Sequence, residues 1–187
     1  MTRPGVGQGR LIGVVGPSGA GKDSVIAGLI AARPGLTCLR RTITRPAEAG
    51  GEVFDAVSAQ EFAARQAAGD FALTWGAHGL FYGIPREGLL PLAEGRDLLV
   101  NLSRGVLAQT MALGRRLSVL QVTARPETLA ARLAQRGRET AEEIGGRLAR
   151  QVAAFPPGID IVTVANDGPL HETVAAALAG LYPAERG

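Results

Sequence analysis

Gly16-Pro-Ser-Gly-Ala-Gly-Lys22 is the stretch of sequence that decides the fold. It matches the pattern GxxxxGK, in which glycines let backbone N–H groups turn inward around phosphate groups. A short apolar run, Leu11 to Val15, precedes it, and a helix pattern from Lys22 to about residue 32 follows it. A strand, a glycine-rich turn and a helix N-terminus form the context that this motif requires. The predicted phosphate-binding residues are Gly16, Pro17, Ser18, Gly19, Ala20, Gly21, Lys22, Asp23 and Ser24.

Lys22 stands out chemically, because 19 of the 20 lysine and arginine residues are arginine and Lys22 is the exception. A lysine at this position can place a point charge beside the β- and γ-phosphates of a nucleotide. The alternative is a glycine-rich turn with a solvated lysine. We therefore expect Lys22 to be a catalytic residue and ATP to be the phosphate donor.

Asp23 departs from the motif, which normally continues with a Ser or Thr whose hydroxyl is a ligand of Mg²⁺. A carboxylate near nucleotide phosphates is repelled unless a cation lies between them, so Asp23 is a candidate Mg²⁺ ligand. Ser24, the next residue, can supply the hydroxyl instead. The simpler alternative is that Asp23 only complements the helix dipole.

Apolar and helical patterns alternate along the chain, which favours an α/β fold with a parallel sheet covered on both faces. A capping box, Ser58 with Glu61, predicts a helix over 59–68, and the stretch from Gly69 to Pro85 is less regular. The other predicted strands are 11–15, 36–44, 97–102, 117–123 and 159–164, and the other predicted helices are 22–32, 105–113, 126–136, 141–154 and 170–181. We expect one domain over 1–187, with a core of about 10–44 and 86–182 and an insertion of about 45–85 at the carboxyl edge of the sheet.

Arginines cluster around Gly137, where two predicted helices meet. Positive charge brought over a nucleotide would stabilise a phosphoryl group in transfer, so we predict a lid over about 136–146. The alternative is a solvated helical hairpin whose arginines pair with neighbouring glutamates. The candidate residues are Arg132, Arg136 and Arg147 for catalysis and Arg138 for ATP binding.

Composition limits the classes of partner. The net charge is +3, but the arginines are dispersed and aromatic residues make up only 4% of the chain, which is unlike a nucleic-acid surface. No stretch approaches the roughly 20 apolar residues of a membrane span. A single cysteine, Cys38, cannot form an internal disulfide and fits the cytoplasm. We therefore expect a small phosphorylated ligand, no nucleic acid and no membrane, and a monomer or a homodimer.

A series of motifs resembles the guanylate kinases in order and spacing. The motifs are GPSGAGK, TITRP (Thr42 to Pro46), GDF (Gly69 to Phe71), HGLFYG (His78 to Gly83) and RLAQRGRETAEEIGGRL (Arg132 to Leu148). The resemblance implies a P-loop NTPase three-layer fold with a mobile acceptor-binding insertion and a small lid. It also implies that Arg45 and Tyr82 hold the phosphate of the acceptor.

Departures from that family concern the acceptor. The second arginine of its acceptor motif is missing near residues 47–49, and its phosphate-binding tyrosine is replaced around residues 54–56. Leu73 stands where the resemblance places the glutamate that reads guanine, and Asn101-Leu-Ser103 replaces a strand end with two carboxylates. A leucine cannot accept hydrogen bonds from a base, so GMP is a poor candidate acceptor.

The combination of GPSGAGKDS, TRPAEAGGE, AHGLFYGIP, VNLSR and RGRET is similar to ribose 1,5-bisphosphate phosphokinases, a guanylate-kinase-like family of phosphonate breakdown. This resemblance implies transfer of the γ-phosphoryl group of ATP to the 1-phosphate of ribose 1,5-bisphosphate, giving 5-phosphoribosyl 1-diphosphate. A nucleoside monophosphate kinase and a non-catalytic binding module remain as alternatives. The substrate-binding residues expected on this basis are Arg41, Thr44, Arg45, Tyr82, Arg86, Asn101, Ser103 and Arg104.

Overall fold

The structure, a computed structural model, describes residues 8–46, 52–135 and 154–183. The strands are β1 (Leu11–Val15), β2 (Thr37–Cys38), β3 (Thr42–Ile43), β4 (Asp55–Ala56), β5 (Phe71–Ala77), β6 (Leu80–Pro85), β7 (Leu98–Asn101), β8 (Leu117–Thr123) and β9 (Asp160–Ala165). The α-helices are α1 (Lys22–Ala32), α2 (Ala59–Ala67), α3 (Leu90–Ala93), α4 (Leu107–Met111), α5 (Pro126–Gln135) and α6 (Leu170–Leu181). Short 3-10 turns, Glu87–Leu89 and Arg104–Val106, precede α3 and α4.

A five-stranded sheet in the order β2-β7-β1-β8-β9 forms the centre of the fold. β2 pairs with β7 and β8 with β9 in parallel. Backbone bonds from Leu98 to Arg10 and from Leu102 to Val14 advance in the same direction on β7 and β1, so this pair is parallel too. Every residue of β1 is buried, as expected for a central strand covered on both faces. The predicted α/β fold with a parallel central sheet is confirmed.

The prediction of one strand over 36–44 is wrong, because the chain divides this segment between two sheets. β2 lies at the edge of the five-stranded sheet, and its pairing with β7 ends with the bond from the Leu39 N–H to the Leu99 carbonyl, 2.8 Å. β3 then pairs with β4 and β6 in a four-stranded sheet of order β4-β3-β6-β5. Each piece is only two residues long, and its partners lie far away in sequence.

The stretch from Gly69 to Pro85 is also more regular than predicted, since β5 and β6 form an antiparallel hairpin. Its last pair is Ala77 with Leu80, and the two residues between them, His78 and Gly79, have φ values of 53° and 72°. A two-residue hairpin turn with positive φ at both positions follows the right-handed twist of the strands. The glycine that suggested irregular structure is part of a tight turn.

Helix α2 covers one face of this hairpin. It begins as the capping box predicts, with the Glu61 N–H donating to the Ser58 hydroxyl oxygen at 3.0 Å. The Phe62 ring stacks on Phe71 and Phe81, with ring centroids 4.8 and 5.8 Å apart. Side chains alternate along a strand, so the neighbour of Phe81, Tyr82, lies on the opposite face of the sheet.

The described residues form two compact units. The first comprises those within Met1–Ile12, Gly35–Val100 and Ala108–Leu117, and it contains the four-stranded sheet and α2. The second comprises those within Gly13–Pro34, Asn101–Leu107 and Ser118–Gly187, and it contains the phosphate loop. None of the described helices is long and apolar enough to span a membrane.

Close packing in the second unit fixes helix α1, which begins at the phosphate loop. A Cβ atom on Gly28 would lie 2.6 Å from Val174 Cγ2, so α1 and α6 approach more closely there than a larger residue allows. A Cβ atom on Gly180 would similarly lie 2.5 Å from Val162 Cγ1 of β9. The predicted lid over 136–146, with Arg136, Arg138 and Arg147, lies outside the described residues.

Candidate active site

The phosphate loop joins β1 to α1 in the geometry that its sequence predicts. Gly21 has a φ of 83°, and a Cβ atom there would lie 2.5 Å from the Asn166 side-chain nitrogen. A Cβ atom on Gly16 would lie 2.2 Å from the Val122 carbonyl oxygen of β8. Both glycines are therefore required by close approaches as well as by the turn. The loop ends where α1 begins, at Lys22, so the helix N-terminus supplies unpaired N–H groups and a positive dipole to an anion there.

The Lys22 ammonium group lies at the loop itself. Its Nζ donates to the carbonyl oxygens of Gly16 and Pro17 at 2.9 and 3.0 Å. These carbonyls hold a cation beside the backbone N–H groups that would surround a phosphate. The predicted ATP-binding residues Ser18, Gly19 and Ala20 belong to the same loop.

Asp23, in the first turn of α1, contacts the end of β7. The Asn101 Nδ2 donates to Asp23 Oδ1 at 3.4 Å, which is a long hydrogen bond. Ser103, two residues further on, is exposed and begins the 3-10 turn of Arg104–Val106. Of the two polar residues predicted at this strand end, Asn101 is the one in contact with Asp23.

The donor set near Asp23 suits Mg²⁺ bound together with nucleotide phosphates. Within 8–46, 52–135 and 154–183 there is no group of three or more His, Cys, Asp and Glu residues that could hold a metal alone. Mg²⁺ often takes only one or two protein ligands and completes its octahedron with phosphate oxygens and water. One carboxylate, Asp23, and one exposed hydroxyl, Ser24, are chemically sufficient for this arrangement.

Asn166, which the sequence analysis missed, ties the phosphate loop to the connection between β9 and α6. Its side chain is buried, with 4% of the residue exposed, and its Nδ2 donates to the Ala20 carbonyl at 2.8 Å. Its Oδ1 accepts from the Thr173 hydroxyl at 3.1 Å, and its own N–H donates to the Thr123 carbonyl at 2.8 Å. The signal available in the sequence was a lone asparagine after a predicted strand, which is too common to single out.

Arg132, predicted as a catalytic residue, extends this network. Its Nη2 donates to the Asn166 carbonyl at 2.8 Å, and its Nη1 lies 3.4 and 3.5 Å from the carbonyls of Gly19 and Ala20. In this arrangement its guanidinium group braces the phosphate loop.

A pocket of about 500 Å³ lies beside the phosphate loop. It is lined by Gly19, Gly21, Ser24, Arg132, Asn166, Gly168 and Leu170. Its size and its place beside the loop suit the nucleoside part of a nucleotide.

Asp167 links the start of α5 to the β9–α6 connection. Its carboxylate accepts from the Arg125 backbone N–H at 2.9 Å and lies 3.6 Å from the Arg125 Nε. That backbone bond, with a bond from the Thr128 side chain, lowers the pKa of Asp167 below its ordinary value. The lowered pKa means that this link adds stability above the ordinary carboxyl pKa and loses it as the pH falls through the folded-state value.

Arg104 packs on an aromatic ring. Its guanidinium carbon lies 4.2 Å from the centroid of Phe155, and its Nε is buried with no hydrogen-bond partner among the described residues. Burial lowers the pKa of Arg104, but an arginine stays charged at any physiological pH. Donor capacity on a charged, partly buried guanidinium group fits the predicted role in binding an anion.

The first unit contains the remaining predicted substrate residues, and their environments differ. The Arg45 guanidinium carbon lies 4.3 Å from the Phe54 ring centroid, and the Thr44 hydroxyl accepts from the Phe81 N–H at 2.9 Å. Arg86 is exposed, and its Nε donates to the Gly69 carbonyl at 2.7 Å. Arg41 and Tyr82 come together, with the Arg41 guanidinium carbon 5.0 Å from the Tyr82 ring centroid.

Two relatives that are similar to this chain along most of its length have the same description. It is 51% identical over 181 residues to "Ribose 1,5-bisphosphate phosphokinase PhnN" of Ruegeria sp. (strain TM1040), covering 96% of this chain and 94% of that protein. The protein of the same description from Chromobacterium violaceum is 49% identical, covering 88% of this chain and 89% of the relative. The chain belongs to the ribose 1,5-bisphosphate phosphokinase family.

Other comparisons fit this family. A "Bifunctional ribose 1,5-bisphosphokinase-thymidine phosphorylase" of Cupriavidus necator is 45% identical over 92% of this chain, which matches 28% of that protein. No protein-family model matches the chain. Guanylate kinase from Anaplasma phagocytophilum has a TM-score of 0.68 and covers 97% of this chain and 89% of its own, at 19% identity, which shows a shared fold. The predicted resemblance to this family and the predicted guanylate-kinase-like fold are confirmed.

Proposed function

We propose that the protein transfers the γ-phosphoryl group of ATP to the 1-phosphate of ribose 1,5-bisphosphate, giving 5-phosphoribosyl 1-diphosphate and ADP. The observation that carries this proposal is the 51% identity to a ribose 1,5-bisphosphate phosphokinase along 94% of its length. The intact phosphate loop, braced by Asn166 and Arg132, supports the use of a nucleotide triphosphate as donor. A nucleoside monophosphate kinase and a binding module are not favoured by the relatives.

The reaction needs alignment and neutralisation of charge more than proton transfer. An oxygen of the 1-phosphate bonds to the γ-phosphorus while the bond from that phosphorus to the β,γ-bridging oxygen breaks, and the electron pair leaves on ADP. The attacking oxygen is already anionic near neutral pH, so no general base is required. Catalysis then depends on positioning and electrostatic stabilisation, as is general for phosphoryl transfer.

In this proposal, Lys22 and the N–H groups of the loop bind the β- and γ-phosphates. The Lys22 ammonium group already lies at the loop, 2.9 Å from the Gly16 carbonyl oxygen. Asp23 and Ser24 hold Mg²⁺, which supplies charge neutralisation at the phosphates when bound. Asn101 orients the Asp23 carboxylate through its side-chain amide. Arg136, Arg138 and Arg147 act from the lid proposed over 136–146.

The acceptor carries two phosphates and no base, so its binding should rely on arginines. Arg45 and Tyr82, in the proposed acceptor-binding insertion of about 45–85, hold one phosphate. Arg104, whose Nε is buried without a hydrogen-bond partner among the described residues, is the best candidate for the other. The secondary candidates are Asn101, Ser103, Thr44 and Arg86. Thr44 and Arg86 already bond to backbone groups.

The proposal extends to the setting of the enzyme. We propose that the reaction takes place in the cytoplasm, with a small sugar phosphate as partner and neither nucleic acid nor membrane; the single cysteine and the use of ATP support this setting. Monomer and homodimer are both compatible with a site built from one chain.

A coupled assay of ADP release tests the proposed reaction directly. Ribose 1,5-bisphosphate is compared with GMP, other nucleoside monophosphates and ribose 5-phosphate at equal concentrations, and the product is identified by mass spectrometry and by its consumption in a phosphoribosyltransferase reaction. Turnover should be highest with ribose 1,5-bisphosphate. A nucleoside monophosphate that rivals it would overturn the proposal.

A further inference from the structure

Four side chains meet on the face of the four-stranded sheet opposite α2, and we call them the Arg41 cluster: Arg41, Glu52, Trp75 and Tyr82. Trp75 and Tyr82 are direct cross-strand neighbours on β5 and β6, and their rings are nearly parallel, 9° apart in plane and 5.2 Å between centroids. The Arg41 guanidinium carbon lies 5.0 Å from the Tyr82 centroid and 5.8 Å from the Trp75 centroid. The three groups therefore form a nearly equilateral triangle in which each contacts the other two.

Glu52, the fourth residue of the cluster, forms an ion pair with Arg41. The Arg41 Nε donates to Glu52 Oε2 at 3.2 Å, and the Arg41 Nη2 donates to Glu52 Oε1, so the two side chains form a bidentate pair. The side chains of Arg41 and Glu52 are only 10% and 16% exposed. This pair neutralises the charge that the sequence analysis expected Arg41 to offer to a phosphate.

The charge distribution argues against Arg41 as a phosphate ligand. A phosphate brought to this guanidinium group would also approach the Glu52 carboxylate, since both carboxylate oxygens contact the same guanidinium. Two anions sharing one cation at low exposure repel each other strongly. Arg41 is therefore a poor candidate for binding the phosphate of the acceptor.

The same geometry limits the motion of Tyr82. The stacked indole of Trp75 covers one ring face, and the tethered guanidinium lies against the ring as well. A change of the χ1 rotamer, which would swing the whole Tyr82 side chain away, would break both contacts, so the position of the Tyr82 hydroxyl oxygen is fixed before any ligand arrives. Preorganisation of a binding group raises affinity by reducing the ordering cost on binding.

We propose that Arg41, Glu52 and Trp75 are positioning residues, which act on the acceptor by fixing Tyr82 and do not touch the acceptor phosphate themselves. The inference rests on the proposed function, because it takes Tyr82 as an acceptor-binding residue. It assigns part of the affinity for the phosphorylated acceptor to an ion pair and a tryptophan that do not contact the acceptor.

A double-mutant cycle on the ion pair tests this role. Arg41→Met, Glu52→Gln and the double variant should each raise the KM for ribose 1,5-bisphosphate by about fivefold or more, with the KM for ATP unchanged. The double variant should be no worse than the more affected single variant, because both residues act through one contact. If Arg41 binds phosphate directly, Glu52→Gln leaves the acceptor KM unchanged or lowers it while Arg41→Met raises it, and the proposal is overturned.

Trp75 offers a second readout that does not depend on turnover, because it is the only tryptophan of the chain. Titration of the protein with ribose 1,5-bisphosphate should change its fluorescence and give a dissociation constant, which Glu52→Gln raises in proportion to the KM. Trp75→Phe keeps an aromatic ring against Tyr82 and should retain most of the acceptor affinity measured by turnover, whereas Trp75→Ala should lose it. If Trp75→Phe and Trp75→Ala change the acceptor affinity equally, the stacking role is contradicted.

Arg40→Ala is the matched control, since Arg40 is the neighbouring arginine in a more exposed pair with Asp55 at 3.7 Å. It should leave the acceptor KM unchanged.

Absence of wild-type turnover with ribose 1,5-bisphosphate overturns the proposed function and this role together. Normal wild-type turnover with additive effects in the cycle overturns the positioning role alone.

Discussion

At the scale of single residues, Asn166 shows how much of the site depends on a side chain that touches no phosphate. Replacing it with alanine removes the Nδ2 donor that the buried Ala20 carbonyl has at 2.8 Å. It also removes one of the two acceptors of the Thr173 hydroxyl, which keeps the Ala165 carbonyl at 3.3 Å. Each lost bond at a buried group costs on the order of 1–3 kcal/mol. We expect Asn166→Ala to lower the thermal stability and to weaken ADP binding by about tenfold, measured by calorimetry. Asn166→Asp, which keeps the acceptor for Thr173 but has no donor for Ala20, should weaken binding similarly, and unchanged ADP affinity in both would refute the bracing role.

Lys22 is the residue whose charge the reaction needs most directly. Lys22→Ala should reduce kcat by at least about a hundredfold, because a charge that stabilises the transition state is removed. The fold should be intact by circular dichroism, since the bonds of the Lys22 ammonium group to the Gly16 and Pro17 carbonyls lie within its own loop. Lys22→Arg keeps the charge with a different geometry and should recover part of the rate. A folded alanine variant with more than a tenth of the activity would contradict this role.

The sequence leaves two interpretations of Asp23 open, a ligand of Mg²⁺ or a residue that complements the helix dipole, and a substitution distinguishes them. If its carboxylate is a ligand of Mg²⁺, Asp23→Ser should raise the Mg²⁺ concentration needed both for half-maximal activity and for thermal stabilisation of the ADP complex. Of the altered strand end Asn101-Leu-Ser103, the group in contact with Asp23 is the Asn101 amide, at 3.4 Å. Adding Asn101→Asp to Asp23→Ser should therefore restore part of the Mg²⁺ response. If Asp23→Ser leaves both Mg²⁺ responses unchanged, Asp23 only complements the helix dipole.

At the scale of elements, long apolar patterns were predictable and short pairings were not. The bounds of β1, α1, β8 and α6 agree with the sequence analysis, because β1 and β8 are apolar runs, α1 begins at the phosphate-loop motif and α6 begins directly after Pro169. β2 and β3 contain two residues each, and their structure depends on pairing with other strands: Thr37 pairs with Leu98, and Thr42 pairs with Asp55 and Gly83. The β5–β6 hairpin had a readable signal in His78-Gly79, which the sequence analysis treated only as a break.

The lid is the element whose role remains a prediction. Arg136→Ala and Arg147→Ala should lower kcat by tenfold or more, with a smaller effect on the KM for ATP, because their charge is delivered when the lid closes on bound nucleotide. Arg125→Ala is a control of the same type at the exposed start of α5, where the arginine pairs with Asp167. If the lid variants change only the KM for ATP, they bind the donor and do not stabilise the transferred group.

At the scale of the whole molecule, the two compact units raise the question of whether the chain unfolds in one step or two. Three strands of the five-stranded sheet, β1, β7 and β8, contribute residues to both units. Unfolding of either unit alone would therefore break each of these three strands part-way along its own length. We therefore predict a single cooperative transition, as the sequence analysis implied by treating 1–187 as one domain. Differential scanning calorimetry should give one peak whose calorimetric and van't Hoff enthalpies agree. Saturating ADP should shift that one peak upward, since a ligand that binds only the folded state stabilises everything that unfolds with its site. Two resolved transitions, with only one shifted by ADP, would show that the units are separate folding domains.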